Sequence, residues 1–179
     1  MQDADRSRME IKKSSRHSKI TGDFAERLVL YWLSKYGFES AYVDHVGVDI
    51  IARNPNNNEL MGISVKSRSR TVGSERVVIR IERSHFEKLE RACTAFDCIP
   101  YLAIVVDAAT TITVFIVSAK HFLKHFSPSA TRGAYWKMTA AALKQYEGDP
   151  EVRSFRFTAE TLRWWSAAAK ARSQSGSER

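Results

Sequence analysis

The order of apolar periods along this 179-residue chain predicts a three-layer α/β/α domain. Three observations carry that prediction. An amphipathic helical period starts near Thr21, a block of short alternating strands follows it, and the run YLAIVV is apolar on both alternating faces, as a strand covered by helices on each side must be.

In the first helix, Ala25, Leu28, Val29, Trp32, Leu33 and Tyr36 recur at spacings of three and four, and Gly37 supplies a stop. SAYVDHV and GVDIIA then read as short strands. RNPNNNE, rich in Asn and Pro, reads as the loop to an antiparallel partner, LMGISVKS. RVVIRIE sets Val77, Ile79 and Ile81 against Arg76, Val78 and Arg80 and is expected to extend the same sheet. Ser84 with Glu87 forms a capping-box signature, and Phe86, Leu89, Cys93 and Phe96 mark the apolar side of a second helix that ends before Pro100.

YLAIVV and its neighbour TITVFIV hold the deepest core. Ser118 caps a short helix through Phe126. SPSATRGA reads as an exposed loop, YWKM as a strand, TAAALKQYE as a helix, and VRSFRF with TAETLRWWSAAAKAR as a last strand and helix. No internal repeat or second domain is needed. The expected organisation is a basic, flexible arm over residues 1–19, one domain over 20–171 with peripheral elements from about 127, and a polar tail over 172–179.

Composition narrows the function. Lys and Arg total 28 against 20 Asp and Glu, a net charge of +8 that favours polyanionic partners. No apolar run suits a signal peptide or a membrane span, so a soluble, cytoplasmic protein with no membrane partner is expected. Cys93 and Cys98 match neither a disulfide framework nor a zinc pattern and read as reduced structural residues.

Strand parity singles out a small set of polar residues. Asp49 and Ile51 should face opposite to Val48, Ile50 and Ala52. On the partner strand Gly62, Ser64 and Lys66 share a face, with Met61, Ile63 and Val65 on the other. An ion pair between Asp49 and Lys66 at the end of the sheet would account for both residues without any catalysis. Glu26 lies beside Leu33 at the margin of the helix's apolar face, where it can reach the sheet edge or stay solvated, while Arg27 points well away from that face. His121 and His125 sit one turn apart with no carboxylate in a metalloprotease pattern, and Tyr135, Trp136, Trp164 and Trp165 are expected to close a core or a subunit contact.

Taken together, TGDFAERLVLYWLSKYGFE, GVDIIA, GISVKSR and IERSHFEKLERACTAFDCIPYLAIV resemble the PD-(D/E)xK nuclease superfamily, and within it the archaeal Holliday junction resolvases and related nuclease-like branches. The resemblance spans roughly Ile20 to Val117. It implies a restriction-endonuclease-like three-layer α/β/α fold with a central mixed sheet. It also implies an endodeoxyribonuclease that uses Mg²⁺ or Mn²⁺ to hydrolyse DNA phosphodiester bonds.

By position, Glu26 matches the helix acid, Asp49 the strand acid that binds the cation, and Lys66 the motif lysine. Asp49 and Glu26 would hold the metal, and the lysine would orient the attacking water and counter phosphate charge. Ser64 falls where the family usually has Glu or Gln, and a neutral hydroxyl is a poorer ligand for a hard cation. Glu26 itself, Glu82, Glu87 or more weakly Asp44 would have to replace the missing charge. Arg68 and Arg70 are expected to contact DNA phosphates, and a homodimer is expected because the resembled resolvases dimerise. Two other readings stay open: a catalytically inactive DNA-binding or assembly protein that retains the fold, and a binder of some other anion.

Overall fold

The structure is a computed structural model that describes residues 16–70, 74, 76–108, 110–126 and 133–158. Helix α1 (His17–Lys35) leads into three antiparallel strands, β1 (Glu39–His45), β2 (Val48–Arg53) and β3 (Leu60–Arg70). After β4 (Val78–Ile81), helix α2 (Arg83–Ala95) provides the crossover that a parallel pair needs, and β5 (Ile99–Ala108) returns parallel to β3. Then follow β6 (Thr111–Ser118), α3 (Ala119–Phe126), β7 (Ala134–Lys137), α4 (Ala140–Glu147) and β8 (Arg153–Thr158). The main sheet has the order β1-β2-β3-β5-β6-β8, so it is mixed and holds β3 and β5 at its centre.

The two faces of this sheet carry two separate cores. On one side Ala25, Val29 and Leu33 of α1 pack on Ile50, Ile63, Val65, Ala103, Val105 and Val114. On the other, Phe86, Leu89 and Cys93 of α2 join Leu102, Ile104, Phe115, Phe122 and Trp136. The three-layer expectation therefore holds, and Trp136 is a wholly buried core residue. Trp164, Trp165 and the last expected helix lie outside the described residues.

Three expectations need correction. β4 does not extend the main sheet; it pairs with β7 in a separate two-stranded sheet, because the edge of β3 that it would have occupied is taken by β5. Alternation of apolar residues fixed which side of β4 is buried and said nothing of its partner. The first helix begins at His17, inside the stretch read as an arm, since its opening turn is polar and held by Ile20 N–H to Arg16 O and Thr21 Oγ1 to His17 O. The capping box is not formed. Glu82 is the N-cap of α2 without a side-chain cap bond, and Glu87 instead accepts from Arg83 Nε at 3.0 Å. His121 Nε2 meets Asp149 Oδ2 at 2.8 Å, a contact that forms no metalloprotease pattern.

Close packing ties β3 to α2. A Cβ added at Gly62 would stand 2.5 Å from the sulfurs of both Cys93 and Cys98, so only glycine lets the two thiols sit against the strand. Both cysteines are free, and burial pushes the Cys93 thiol up to about 12, which suits an inert structural residue. The expected cap at Ser118 is made, its Oγ accepting from His121 N–H at 3.2 Å.

Candidate active site

The site is built where β2 and β3 part. Their ladder runs from Arg53↔Leu60 to Ile50↔Ile63 and stops there, one residue before Asp49 and Ser64 would face each other. On the other flank of β2 the register with β1 slips between Tyr42↔Ile50 and His45↔Val48, so Val43 and Asp44 together oppose Asp49. This is a β-bulge, and Asp44 takes up its geometry at φ 43°.

The turn beyond it explains why the strand bends. Gly47, at φ 101°, lies so close to α2 that a Cβ would stand 2.5 Å from Lys88 O. That contact draws Val48 into the α2-side core, whereas Ile50 and Ala52 face α1. Simple alternation had put Val48 with Ile50; the bend breaks the parity at Asp49.

Released from the ladder, Asp49 uses its side chain in place of strand pairing. Oδ2 accepts from the backbone N–H of Val65 at 2.6 Å and, more loosely, from Ser64 Oγ at 3.4 Å. Lys66 Nζ donates to the same Ser64 Oγ at 3.0 Å. Ser64 is buried at 5% exposure, and its hydroxyl, donor to one side and acceptor to the other, links the lysine to the aspartate. The direct ion pair that would have explained Asp49 and Lys66 structurally is not formed; serine stands between them.

Glu26 comes from the other layer. It is one residue beyond Ala25 on the packed side of α1, and its Oε2 accepts from the Tyr42 hydroxyl at 3.0 Å. Burial raises the Glu26 carboxyl above its ordinary value, and the negative charges of Asp49, Asp23 and Asp44 raise it further, against the lowering effect of the Tyr42 hydrogen bond. Glu26 is thus electrostatically coupled to Asp49 with no cation paired to it among the described residues.

The remaining predicted residues divide. Arg68 and Arg70 lie at positions i+2 and i+4 from Lys66, on the same strand face; Arg68 is exposed and also lines a recess of about 370 Å³ with His17, Ser18 and Ser67. Glu82 and Glu87 stay exposed at the start of α2, and neither is among the charges acting on Glu26. Asp44 does join the acidic group through the bulge. Two residues had escaped the sequence reading. Tyr42 is one. His85 is the other: burial and the positive charges of Lys66 and Lys88 lower its pKa, with Glu82 opposing.

Asp49 and Glu26 are the two carboxylates of the site that could hold a hard divalent cation. Asp49 Oδ1 and Glu26 Oε1 have no hydrogen-bond partner among the described residues, and the local charge is negative. Two carboxylates, with water and substrate oxygens completing the shell, is how Mg²⁺ is commonly held. Among the described residues no group of three or more His, Cys, Asp or Glu is arranged around one point, so the protein's share would be these two side chains.

Among solved structures the chain is similar to the Holliday junction resolvase Hjc of Archaeoglobus fulgidus, at 19% identity over 69% of this chain and 88% of that one, with a TM-score of 0.48. It is also similar to a restriction endonuclease in complex with substrate DNA, at 12% identity over 92% of this chain and 82% of that one, with a TM-score of 0.38. No protein-family model and no curated protein matches the chain. Helix α1, the three antiparallel strands β1 to β3, the crossover helix α2 and the parallel strand β5 follow the element order that the sequence predicted.

Proposed function

We propose that the protein is a divalent-metal-dependent endodeoxyribonuclease that hydrolyses DNA phosphodiester bonds, with Asp49, Glu26 and Lys66 as its working residues. One observation carries the reading. The β2–β3 ladder ends after Ile50↔Ile63, and there Asp49 is set beside the Ser64 and Lys66 pair, with the Glu26 charge acting on it from α1.

Asp49 and Glu26 would hold Mg²⁺ or Mn²⁺ through their unbonded oxygens. The bound ion would supply an acidified water and counter the charge that builds on the scissile phosphate. Lys66, half-buried and tethered to Ser64, offers an ammonium donor to a phosphate oxygen or to that water. Ser64 adds no charge; it keeps the lysine and Asp49 in fixed relation. Arg68 and Arg70 continue the positive line along the strand, and the net charge of +8 favours a DNA backbone over neutral substrates. A homodimer, readable by light scattering, belongs to the proposal, since cutting two strands suits twofold symmetry.

Ser64 favours a second reading, a DNA-binding or assembly protein with an inactive site, because it withholds the third acidic charge. Incubation with branched, linear and single-stranded DNA in Mg²⁺ or Mn²⁺ separates the two. The nuclease reading expects metal-dependent cleavage that Asp49→Ala and Lys66→Ala abolish. Absence of cleavage on every substrate, or cleavage indifferent to both substitutions, supports the inactive reading.

A further inference from the structure

We infer that Tyr42 is a positioning residue that locks the carboxylate of Glu26 in register with Asp49, and that Arg27 clamps Tyr42 in place from outside. The inference rests on the nuclease reading above and assigns the side chain that holds its second acid.

Glu26 and Asp49 belong to different layers, one on a helix and one on a strand, so nothing in the backbone ladder fixes their separation. Tyr42 spans the gap. Its backbone is paired with Ile50, the residue next to Asp49, and this is the last regular pair before the bulge. From that position its hydroxyl donates to Glu26 Oε2 at 3.0 Å. One rigid aromatic side chain therefore connects the strand of the first acid to the carboxylate of the second, leaving Glu26 Oε1 unengaged.

One face of the ring is also occupied. The Arg27 guanidinium lies 3.9 Å from the Tyr42 ring centroid, well within cation–π range. A cation on the ring withdraws electron density from the phenol and makes its O–H a better donor to the carboxylate. Arg27 makes no salt bridge with Glu26, so it strengthens the hold without neutralising the charge that a metal ion requires. A bare glutamate at the edge of a helix would sample several rotamers and give up entropy on each binding event. Here the choice is made beforehand.

The test is Mn²⁺ binding to the DNA-free full chain, read by the loss of the free-ion electron paramagnetic resonance signal, with the melting temperature as the folding control. Tyr42→Phe keeps the ring and removes the hydroxyl; it is expected to weaken Mn²⁺ about 10- to 100-fold, the range for residues that orient a metal ligand, while melting within a few degrees of the wild type. Arg27→Gln is expected to weaken it less, and adding it to Tyr42→Phe should have little further effect. In cleavage assays Tyr42→Phe should raise the Mg²⁺ concentration for half-maximal rate and leave the rate at saturating Mg²⁺ nearly unchanged. A merely structural tyrosine would not produce that split. If wild type and Tyr42→Phe bind Mn²⁺ equally well and Asp49→Ala does not bind, this inference is overturned and the nuclease reading stands. If the wild type binds no Mn²⁺, both are overturned.

Discussion

The two flanks of β3 and β5 are built to opposite ends. Between β5 and β6 the register runs unbroken from Tyr101↔Ser118 to Ala108↔Thr111, and the paired side chains of Leu102–Val106 and Thr113–Val117 are buried on both faces. Between β2 and β3 pairing ends after Ile50↔Ile63, β1 bulges alongside, and the freed positions hold Asp49, Ser64 and Lys66. One flank spends its residues on packing. The other gives up ladder bonds, replaces one of them with the Asp49 carboxylate, and turns three polar side chains toward a common point. Stability and chemistry are thus assigned to neighbouring strands of one sheet, and substitutions on the two flanks should separate them.

The sharpest separation should come from Asp49→Asn, which keeps an acceptor for Val65 N–H and removes the charge. Cleavage is expected to fall on the order of 10³-fold, the scale for losing a group that stabilises charge in the transition state, while urea unfolding changes by less than about 1 kcal/mol. Ile104→Ala, on the packed flank, should do the reverse: a loss of about 2–5 kcal/mol in urea unfolding, with cleavage per folded molecule preserved. Loss of activity in proportion to stability in both variants would erase the distinction.

Ser64→Ala probes the join between the flanks. Removing the hydroxyl frees Lys66 from Asp49 and should slow cleavage about tenfold, the worth of one hydrogen bond to a charged group, with little change in melting temperature. The smallest effect is one of pH. Burial holds the Glu26 carboxyl above its ordinary value, so as pH rises past about 4.5 the unfolded chain gives up this proton before the folded chain does. Glu26 therefore contributes stability that is full below that pH and fades as pH rises through its raised folded value. Urea midpoints measured from pH 4 to 7 should decline less steeply in Glu26→Gln than in the wild type.

The contrast between the flanks also marks what the sequence made legible. YLAIVV is apolar on both alternating faces and TITVFIV is interrupted only by Thr111 and Thr113, a pattern that suits strands covered on both sides, so the centre of the sheet was readable. Along β3 the parity of Gly62, Ser64 and Lys66 held, because the strand stays regular against β5 to its end. Along β2 parity failed at Val48, since the bend comes from a glycine turn resting on Lys88, forty-one positions away in sequence. Tyr42 looked like any strand aromatic; its role rests on a partner on another element. β4 likewise disclosed its buried side and hid its partner, β7, which lies beyond two further strands and two helices. Local period is written in the sequence, whereas contacts across layers are decided by the packing of distant segments.

A crystal of the protein soaked in Mn²⁺ tests the central claim most directly, through the anomalous signal of the ion. The account predicts one ion bound by both Asp49 and Glu26, with Lys66 beside it and Tyr42 still on the outer oxygen of Glu26. An unoccupied site with the two carboxylates turned apart, or an ion held elsewhere, would contradict it.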